Sequence, residues 1–224
     1  MLVLVAMLAG FVVMHSLISR PALRTPLVAR LGSRRYLILH GVVSLLGMAA
    51  VFWAYFRAPH IELWPSSTIL RTIPLLAMPV ACILAVASVI TPCAGLGGDR
   101  LPAGDNPAPG ILGVTRHPAP WALILWSASH VIANGDLAGA LLFGTFLAFA
   151  AAAPMLVDRR RRRLNGEVAW RRFAAVTSTV PLLAAWQGRT AVDWRGIGWT
   201  PVLLGLALFG VIVAVHVPIV GFLS

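Results

Sequence analysis

Long apolar runs recur along this chain, and their length constrains the fold more than any other feature. A transmembrane helix needs about 20 predominantly apolar residues. Hydrophobic residues make up 59% of the 224 positions and charged residues only 11%, against about a quarter charged in soluble domains. The sequence therefore predicts an all-α integral membrane protein, in which residues 1–224 form a single bundle of about six transmembrane helices. The predicted spans are residues 2–19, 36–57, 72–91, 118–133, 137–157 and 199–221.

The charge pattern favours a membrane over a nucleic acid as the partner. All 18 basic residues are arginine, and with seven acids they give a formal charge of +11. These arginines lie in short connections between apolar runs rather than on a folded basic face, so we expect a lipid bilayer and no nucleic acid. The positive-inside rule puts residues 20–35 and Arg159–Arg163 in the cytoplasm and both termini outside. Residues 2–19 lack a preceding basic residue and a cleavage pattern, so we expect a retained span.

Two segments have the pattern of helices that lie on the membrane surface. Apolar and basic residues alternate over Pro21–Leu31, which predicts a short amphipathic interfacial helix. Residues 164–186 mix apolar side chains with Glu167, Arg171 and Arg172, which predicts a second surface helix, with a further short span near residues 182–186 left open.

The remaining features of the chain are connections and isolated residues. Residues 92–116 are dense in glycine and proline and predict a cytoplasmic lid or binding loop. Gly95–Gly98 is not a phosphate cradle, because no strand precedes it. Pro74 and Pro79 predict a bend in the third span. Cys82 and Cys93, eleven positions apart, have neither metal-site nor redox spacing and are expected to be reduced packing residues.

The stretch from Thr115 to Asp136 is the strongest candidate for a functional site. A polar corner, Thr115–Pro118, enters an apolar helix that carries His130 deep along its length. An ionisable side chain in that setting is costly unless it has a partner, so His130 is either a metal ligand or a structural histidine bonded to a carbonyl or to Asn134. Asn134-Gly135-Asp136 predicts a tight turn, with a positive φ at glycine and Asp136 as the cap of the next helix.

These residues resemble a known family. Thr115-Arg116-His117-Pro118, Trp121, Trp126, Ser129-His130 and Asn134-Gly135-Asp136 resemble the signature of the NnrU family of bacterial membrane proteins. His15-Ser16 and Gly166-Glu167 also fit, and the resemblance covers essentially the whole chain. The family is similar to the plant and cyanobacterial 15-cis-zeta-carotene isomerase, in which histidines hold a haem b.

The resemblance implies a site and a function. It places haem b on His15 and His130 as axial ligands, with His40, His117 and His216 as reserve ligands or propionate partners. Arg116 would bind a propionate or a phosphate, and Trp121 and Trp126 would line the pocket. The family name implies a link to nitrite and nitric oxide metabolism, in a bacterial inner membrane. The ligand would be hydrophobic or gaseous, and the chemistry would resemble that of a carotenoid isomerase. Ser127 stands where the isomerase has a second iron-binding residue, a cysteine.

Two other interpretations stay open at this point. Arg116-His117-Pro118 followed by Glu167 is also similar to isoprenylcysteine carboxyl methyltransferases, which bind S-adenosylmethionine at such a corner. A non-catalytic accessory role, with a respiratory complex as partner, is the third. Depth in the membrane leaves the ligand pair open as well, because the predicted topology puts His15 near the cytoplasmic side and His130 near the external side.

Overall fold

The computed structural model describes residues 1–91, 93–94, 100–103 and 106–223, and of residues 217–223 it describes the helical backbone only. This part of the chain is helical and contains no β-strand, which confirms the predicted all-α class. The helices are α1 Leu2–Ser19, α2 Pro21–Leu31, α3 Ser33–Phe56, α4 Thr68–Ile90, α5 Ile111–Val114, α6 Pro118–Asn134, α7 Leu137–Asn165, α8 Glu167–Val176, α9 Leu183–Trp186, α10 Trp194–Ile197 and α11 Thr200–Leu223.

Six of these helices overlap the six predicted spans, and α7 continues beyond its predicted end at residue 157 to Asn165. Among the described residues, α1, α3, α4 and α7 are long and apolar enough to cross a membrane. The 17 residues of α6 correspond to about 26 Å, slightly less than the roughly 30 Å of a hydrocarbon core. Large apolar side chains such as Leu45, Leu76 and Val89 are 70%, 74% and 83% exposed, as expected for surfaces that lipid covers.

The short helices agree only partly with the sequence prediction. The helix predicted over Pro21–Leu31 is present as α2, which has no buried residue. The predicted surface helix over residues 164–186 is wrong in its bounds, since α8 covers Glu167–Val176 and α9 is a separate four-residue turn. A four-residue helix is far too short to span, so no additional span lies near residues 182–186. Trp170 and Phe173 are buried, so α8 packs its apolar face on the protein.

The described chain divides into two compact units. The first unit contains Met1–Pro65 and Gly135–Thr145, and the second contains Ser66–Asn134 and Phe146–Phe222. In the first unit α1 packs on α3. Leu4, Leu8 and Phe11 recur on one face of α1 and are buried, because residues three and four apart share a helix face.

A tight turn in the first unit has the geometry that its sequence predicts. Gly135 has φ +70°, and its carbonyl accepts the N–H groups of Leu63 and Trp64 at 2.8 and 3.0 Å. Asp136 caps α7, since its Oδ1 accepts the N–H of Gly139 at 2.8 Å. The predicted positive φ at glycine and the predicted cap are both confirmed.

Gly135→Ala is expected to destabilise this turn by more than backbone strain alone. A Cβ at this position would lie 2.3 Å from the Trp64 carbonyl oxygen, so the chain must move. Gly188 is the matched control, because it has φ +68° and open space around the added Cβ. Gly188→Ala should show only the cost of the left-handed conformation, about 1–2 kcal/mol. Chemical unfolding in detergent measures both variants, and equal losses would contradict the steric argument.

The second unit is built around α4 and α6. Its core includes Leu84 and Ala87 of α4 and Ala122 of α6, together with Ile111 and Leu112 of α5. α4 continues through Pro74 and Pro79, and Cys82 and Cys93 are free thiols, as predicted.

The connection before α6 is not a loose lid where the structure describes it. Ala108, Ile111, Leu112 and Thr115 are each less than 5% exposed, so residues 106–116 form part of the core of the second unit. The predicted loop motif Gly95–Gly98 lies outside the described residues.

Candidate functional site

The polar corner before α6 is fixed by bonds to the segment that follows α8. Thr115 is fully buried and its Oγ donates to the Thr179 carbonyl at 2.9 Å. The same oxygen accepts the N–H of His117 at 3.2 Å. The Arg116 N–H donates to the Ser178 carbonyl at 3.0 Å. Because the backbone is held on both sides, the two side chains that follow Thr115 leave the corner in defined directions.

Arg116 is paired with a carboxylate that comes from α7. Its Nη2 and Nε donate to Oδ2 of Asp158 at 2.8 and 3.1 Å, and its Nη1 donates to the Thr177 carbonyl at 3.1 Å. The guanidinium also lies 5.6 Å from the centre of the Trp170 ring. The two charged side chains are only 14% and 18% exposed. An added anion, such as a propionate, would compete with Asp158 for Arg116.

His117 lies against the same carboxylate. Its side chain is 1% exposed, and its Nε2 is 2.9 Å from Oδ1 of Asp158, off the line of a good hydrogen bond. Burial lowers the pKa of His117, and the pKa stays lowered although the Asp158 carboxylate opposes the shift. The ring is therefore neutral near pH 7. Since Nε2 faces a carboxylate, His117 is a structural partner of Asp158 rather than an open metal ligand.

Asp158 and Arg161 are the site residues that the sequence analysis missed. Arg161 is 2% exposed. Its Nη1 donates to the Arg116 carbonyl at 3.0 Å and its Nη2 to the Cys93 carbonyl at 2.6 Å. The two residues are three positions apart, so they share one face of α7. That spacing is visible in the sequence, but the arginine run around it was interpreted as a marker of topology and a contact for anionic headgroups, and not as part of a site.

Glu167, the acid required by the methyltransferase interpretation, has other partners. Its carboxylate accepts hydrogen bonds from Arg162 and from Nε of Arg171, the latter at 2.7 Å. These bonds, that from Arg162 first, lower the pKa of Glu167. The carboxylate at the corner is Asp158, so Glu167 forms a separate ion pair on the surface.

His130 is fixed by the helix that carries it. Its Nδ1 lies 2.7 Å from the Trp126 carbonyl oxygen, one turn earlier in α6. With Nδ1 as the donor of that bond, Nε2 is the nitrogen of the neutral ring that can bind a metal. Ser127 is fully buried and donates to the Leu123 carbonyl at 2.6 Å, so its hydroxyl is used within the helix.

A second histidine lies beside His130 in the second unit. His216 of α11 has its ring centre 6.3 Å from that of His130, and the two ring planes are 83° apart. Trp126 also contacts the site, with its ring centre 5.8 Å from that of His130.

An open cavity of about 370 Å³ lies between α4, α6 and α11, one helical turn from the two rings. Trp126 and Ile212, which line it, precede His130 and His216 by four residues each. The walls are otherwise formed by small and aliphatic side chains, and none of the residues that line the cavity is charged. The small and aliphatic residues of the walls include Ala81, Ala85, Ala122 and Leu208. The cavity therefore suits an apolar group.

His15 and His40 meet each other in the first unit. Their ring centres are 4.7 Å apart, with α1 supplying one ring and α3 the other. Nδ1 of His15 is 3.0 Å from Oγ of Ser44, and Tyr36 stacks on His40 with ring centres 6.1 Å apart. Nδ1 of His40 is buried without a hydrogen bond to any residue that the structure describes.

The predicted site residues thus fall into three groups. The corner holds Arg116 and His117, α6 holds Trp126 and His130 beside His216, and the first unit holds the His15 and His40 pair. Within the described residues, no cluster of three or more His, Cys, Asp or Glu side chains could hold a metal ion. The predicted ligands His15 and His130 belong to different units, so their pairing stays a prediction.

The fold and this site define a helical integral membrane protein with histidines in an apolar setting. The family model described as NnrU protein matches residues 3–223. The chain therefore belongs to the NnrU family, as the polar corner and the Asn-Gly turn predicted. Neither the curated proteins nor the solved structures contain a match to this chain.

Proposed function

We propose that this member of the NnrU family binds haem b in the bilayer, and that His130 would hold it. The observation that carries the proposal is the orientation of His130. The Trp126 carbonyl at 2.7 Å from Nδ1 holds the ring in place, and such a second partner is typical of histidines that ligate a metal. The neighbouring apolar cavity of about 370 Å³ would accept part of a macrocycle.

Ring spacing distinguishes the two histidine pairs as haem sites. A metal held by two histidines needs room between their rings, because each metal–nitrogen bond is about 2 Å long. His130 and His216, with ring centres 6.3 Å apart, would leave more room than His15 and His40, whose ring centres are 4.7 Å apart. His216 is the candidate for the second ligand that this geometry supports, and His15 is the candidate that the resemblance supports.

The bound haem would supply an iron that binds small gaseous ligands or changes oxidation state. The residues of the chain would hold it, exclude water and select an apolar ligand. This role fits a function in nitrite and nitric oxide metabolism, or an isomerase-like reaction on a hydrophobic substrate, in a bacterial inner membrane with the basic loops in the cytoplasm. A role as an accessory protein of a respiratory complex would use the same haem site.

His130→Ala is expected to abolish haem binding. The measurement is the ultraviolet-visible spectrum of the detergent-purified protein, oxidised and reduced, with a pyridine haemochrome assay for stoichiometry. The wild type should show a Soret band and sharp reduced α and β bands, which His130→Ala should lack. His60→Ala, at an exposed position, is the matched control and should retain the full haem content.

Two further variants identify the second ligand. Loss of the low-spin spectrum in His216→Ala but not in His15→Ala would support the pair seen in the second unit, and the reverse result would support the pair that the resemblance implies. Equal haem content in His130→Ala and His60→Ala would overturn the proposal. A folded wild type without a Soret band after haem is supplied would do the same.

A further inference from the structure

Three tryptophans are largely exposed in the short segment that leads into α11. Trp186, Trp194 and Trp199 are 84%, 68% and 76% exposed. Trp199 comes directly before the start of α11 at Thr200. Exposed indoles are typical of the boundary between lipid and water, where the ring contacts apolar chains and the N–H contacts headgroups. We call residues 186–199 the tryptophan segment.

The exposed face of α7 changes from apolar to basic within one helical turn. Met155 and Leu156 are 52% and 58% exposed, which suits contact with lipid chains. Arg159 and Arg163 follow on the same face, four and eight residues after Met155, and are exposed as well. At the start of α11, the exposed aliphatic residue Leu203 comes four residues after the exposed indole of Trp199, on the same face of the chain. Both positions mark the depth of the headgroup layer.

Four arginines of this region are exposed cations without a counter-ion in the described part of the chain. Arg159, Arg163, Arg172 and Arg195 are exposed, and they form no ion pair or side-chain hydrogen bond with any residue that the structure describes. The acids nearby are already engaged. Asp158 pairs with Arg116, Glu167 pairs with Arg162 and Arg171, and Asp193 caps α10 by accepting the N–H of Gly196 at 2.8 Å.

We propose that the basic end of α7 and the tryptophan segment form a surface that binds anionic phospholipid headgroups. The excess positive charge matches a phosphate that carries no positive group, and the exposed indoles hold the surface at headgroup depth. A zwitterionic lipid offers the same apolar chains but no net charge, so the surface selects anionic lipid over zwitterionic lipid. This inference does not depend on haem binding.

The test uses the full-length protein in detergent, titrated with phosphatidylglycerol or phosphatidylcholine and observed by native mass spectrometry. The wild type should bind phosphatidylglycerol more tightly than phosphatidylcholine. Arg159→Gln combined with Arg195→Gln should reduce that preference, by roughly fivefold for each arginine removed. Arg171→Gln combined with Arg162→Gln removes the same charge from arginines already paired with Glu167, and should have a much smaller effect.

A second measurement tests the position of the indoles. Lipids with brominated chains should quench the tryptophan fluorescence of the wild type. The triple variant Trp186→Phe, Trp194→Phe, Trp199→Phe lacks the exposed indoles, so a smaller fraction of its fluorescence should be quenched. Equal affinity of the wild type for the two lipids would overturn the proposal. Equal effects of the two arginine pairs, or unchanged quenching in the tryptophan variant, would also overturn it.

Discussion

Asp158→Asn is expected to destabilise the protein by about 3 kcal/mol, because it leaves the charge of Arg116 buried without its partner. Oδ2 of the Asp158 carboxylate accepts two hydrogen bonds from Arg116, and both side chains of the pair are less than a fifth exposed. Asparagine keeps the size of the side chain, so the loss of stability measures the contribution of the negative charge. The free energy of unfolding, obtained by titration with a denaturing detergent, is the quantity to compare with the wild type.

Glu167→Gln is the matched control for this variant. Glu167 also has two arginine partners, but those partners are 57% and 76% exposed. Solvent screens such pairs, so little stability should be lost. Combining Asp158→Asn with Arg116→Gln should recover part of the loss, since no unpaired cation then remains. Equal effects of Asp158→Asn and Glu167→Gln would show that the buried pair does not stabilise the corner.

Gly205→Ala is expected to cost about 3 kcal/mol, because α11 approaches the backbone of α4 at this glycine. An added Cβ would lie 2.6 Å from Cα and 2.8 Å from N of Ile83. Backbone atoms cannot rotate away as the end of a side chain can, so the helices must separate. Small residues at such crossings allow membrane helices to pack closely. The measurement is again the free energy of unfolding in detergent.

Gly210→Ala, in the same helix, is the control for Gly205→Ala. No atom lies within 4 Å of the Cβ that it would add, and alanine favours a helix over glycine by up to about 1 kcal/mol. Gly210→Ala should therefore be neutral or slightly stabilising. Displacement of α11 would also move His216 relative to His130, so haem content should fall in Gly205→Ala alone. Unchanged stability and haem content in Gly205→Ala would contradict the close approach.

The corner and the histidine site have different roles in this protein. Arg116 bonds to Asp158 and to the Thr177 carbonyl, and the buried ring of His117 lies against the same carboxylate, which makes the corner a connection between α6, α7 and the segment after α8. His130 lies 13 residues beyond His117, about 20 Å along the helix. The family signature therefore contains a structural element at one end of α6 and the candidate cofactor ligand at the other.

Local features of the sequence predicted the turn and the family. Glycine at position 135 is the residue that a positive φ favours, and Asp136 is a residue type that caps helices, so the geometry follows from two neighbouring positions. The short helix α2 was predicted equally well, with the same bounds, from its alternating apolar and basic residues.

Contacts between distant residues were not predictable in the same way. Arg116 and Asp158 are 42 positions apart, and His130 and His216 are 86 apart. Asp158 stands at the start of an arginine run, where an acid has many potential partners. A surface helix was predicted over residues 164–186, but α8 ends at Val176. The helix stops there because Thr177 and the residues after it bond to the corner.

The sequence by itself determined the class of protein, the positions of its long helices and its membership of the NnrU family, because the length of an apolar run and a short polar signature are local properties. Only the tertiary structure decided which face of each helix is buried and which histidines meet. A span such as α1 is apolar on every side, so composition contains no information about its rotation. Packing against α3 sets that rotation, and it brings His15 to His40.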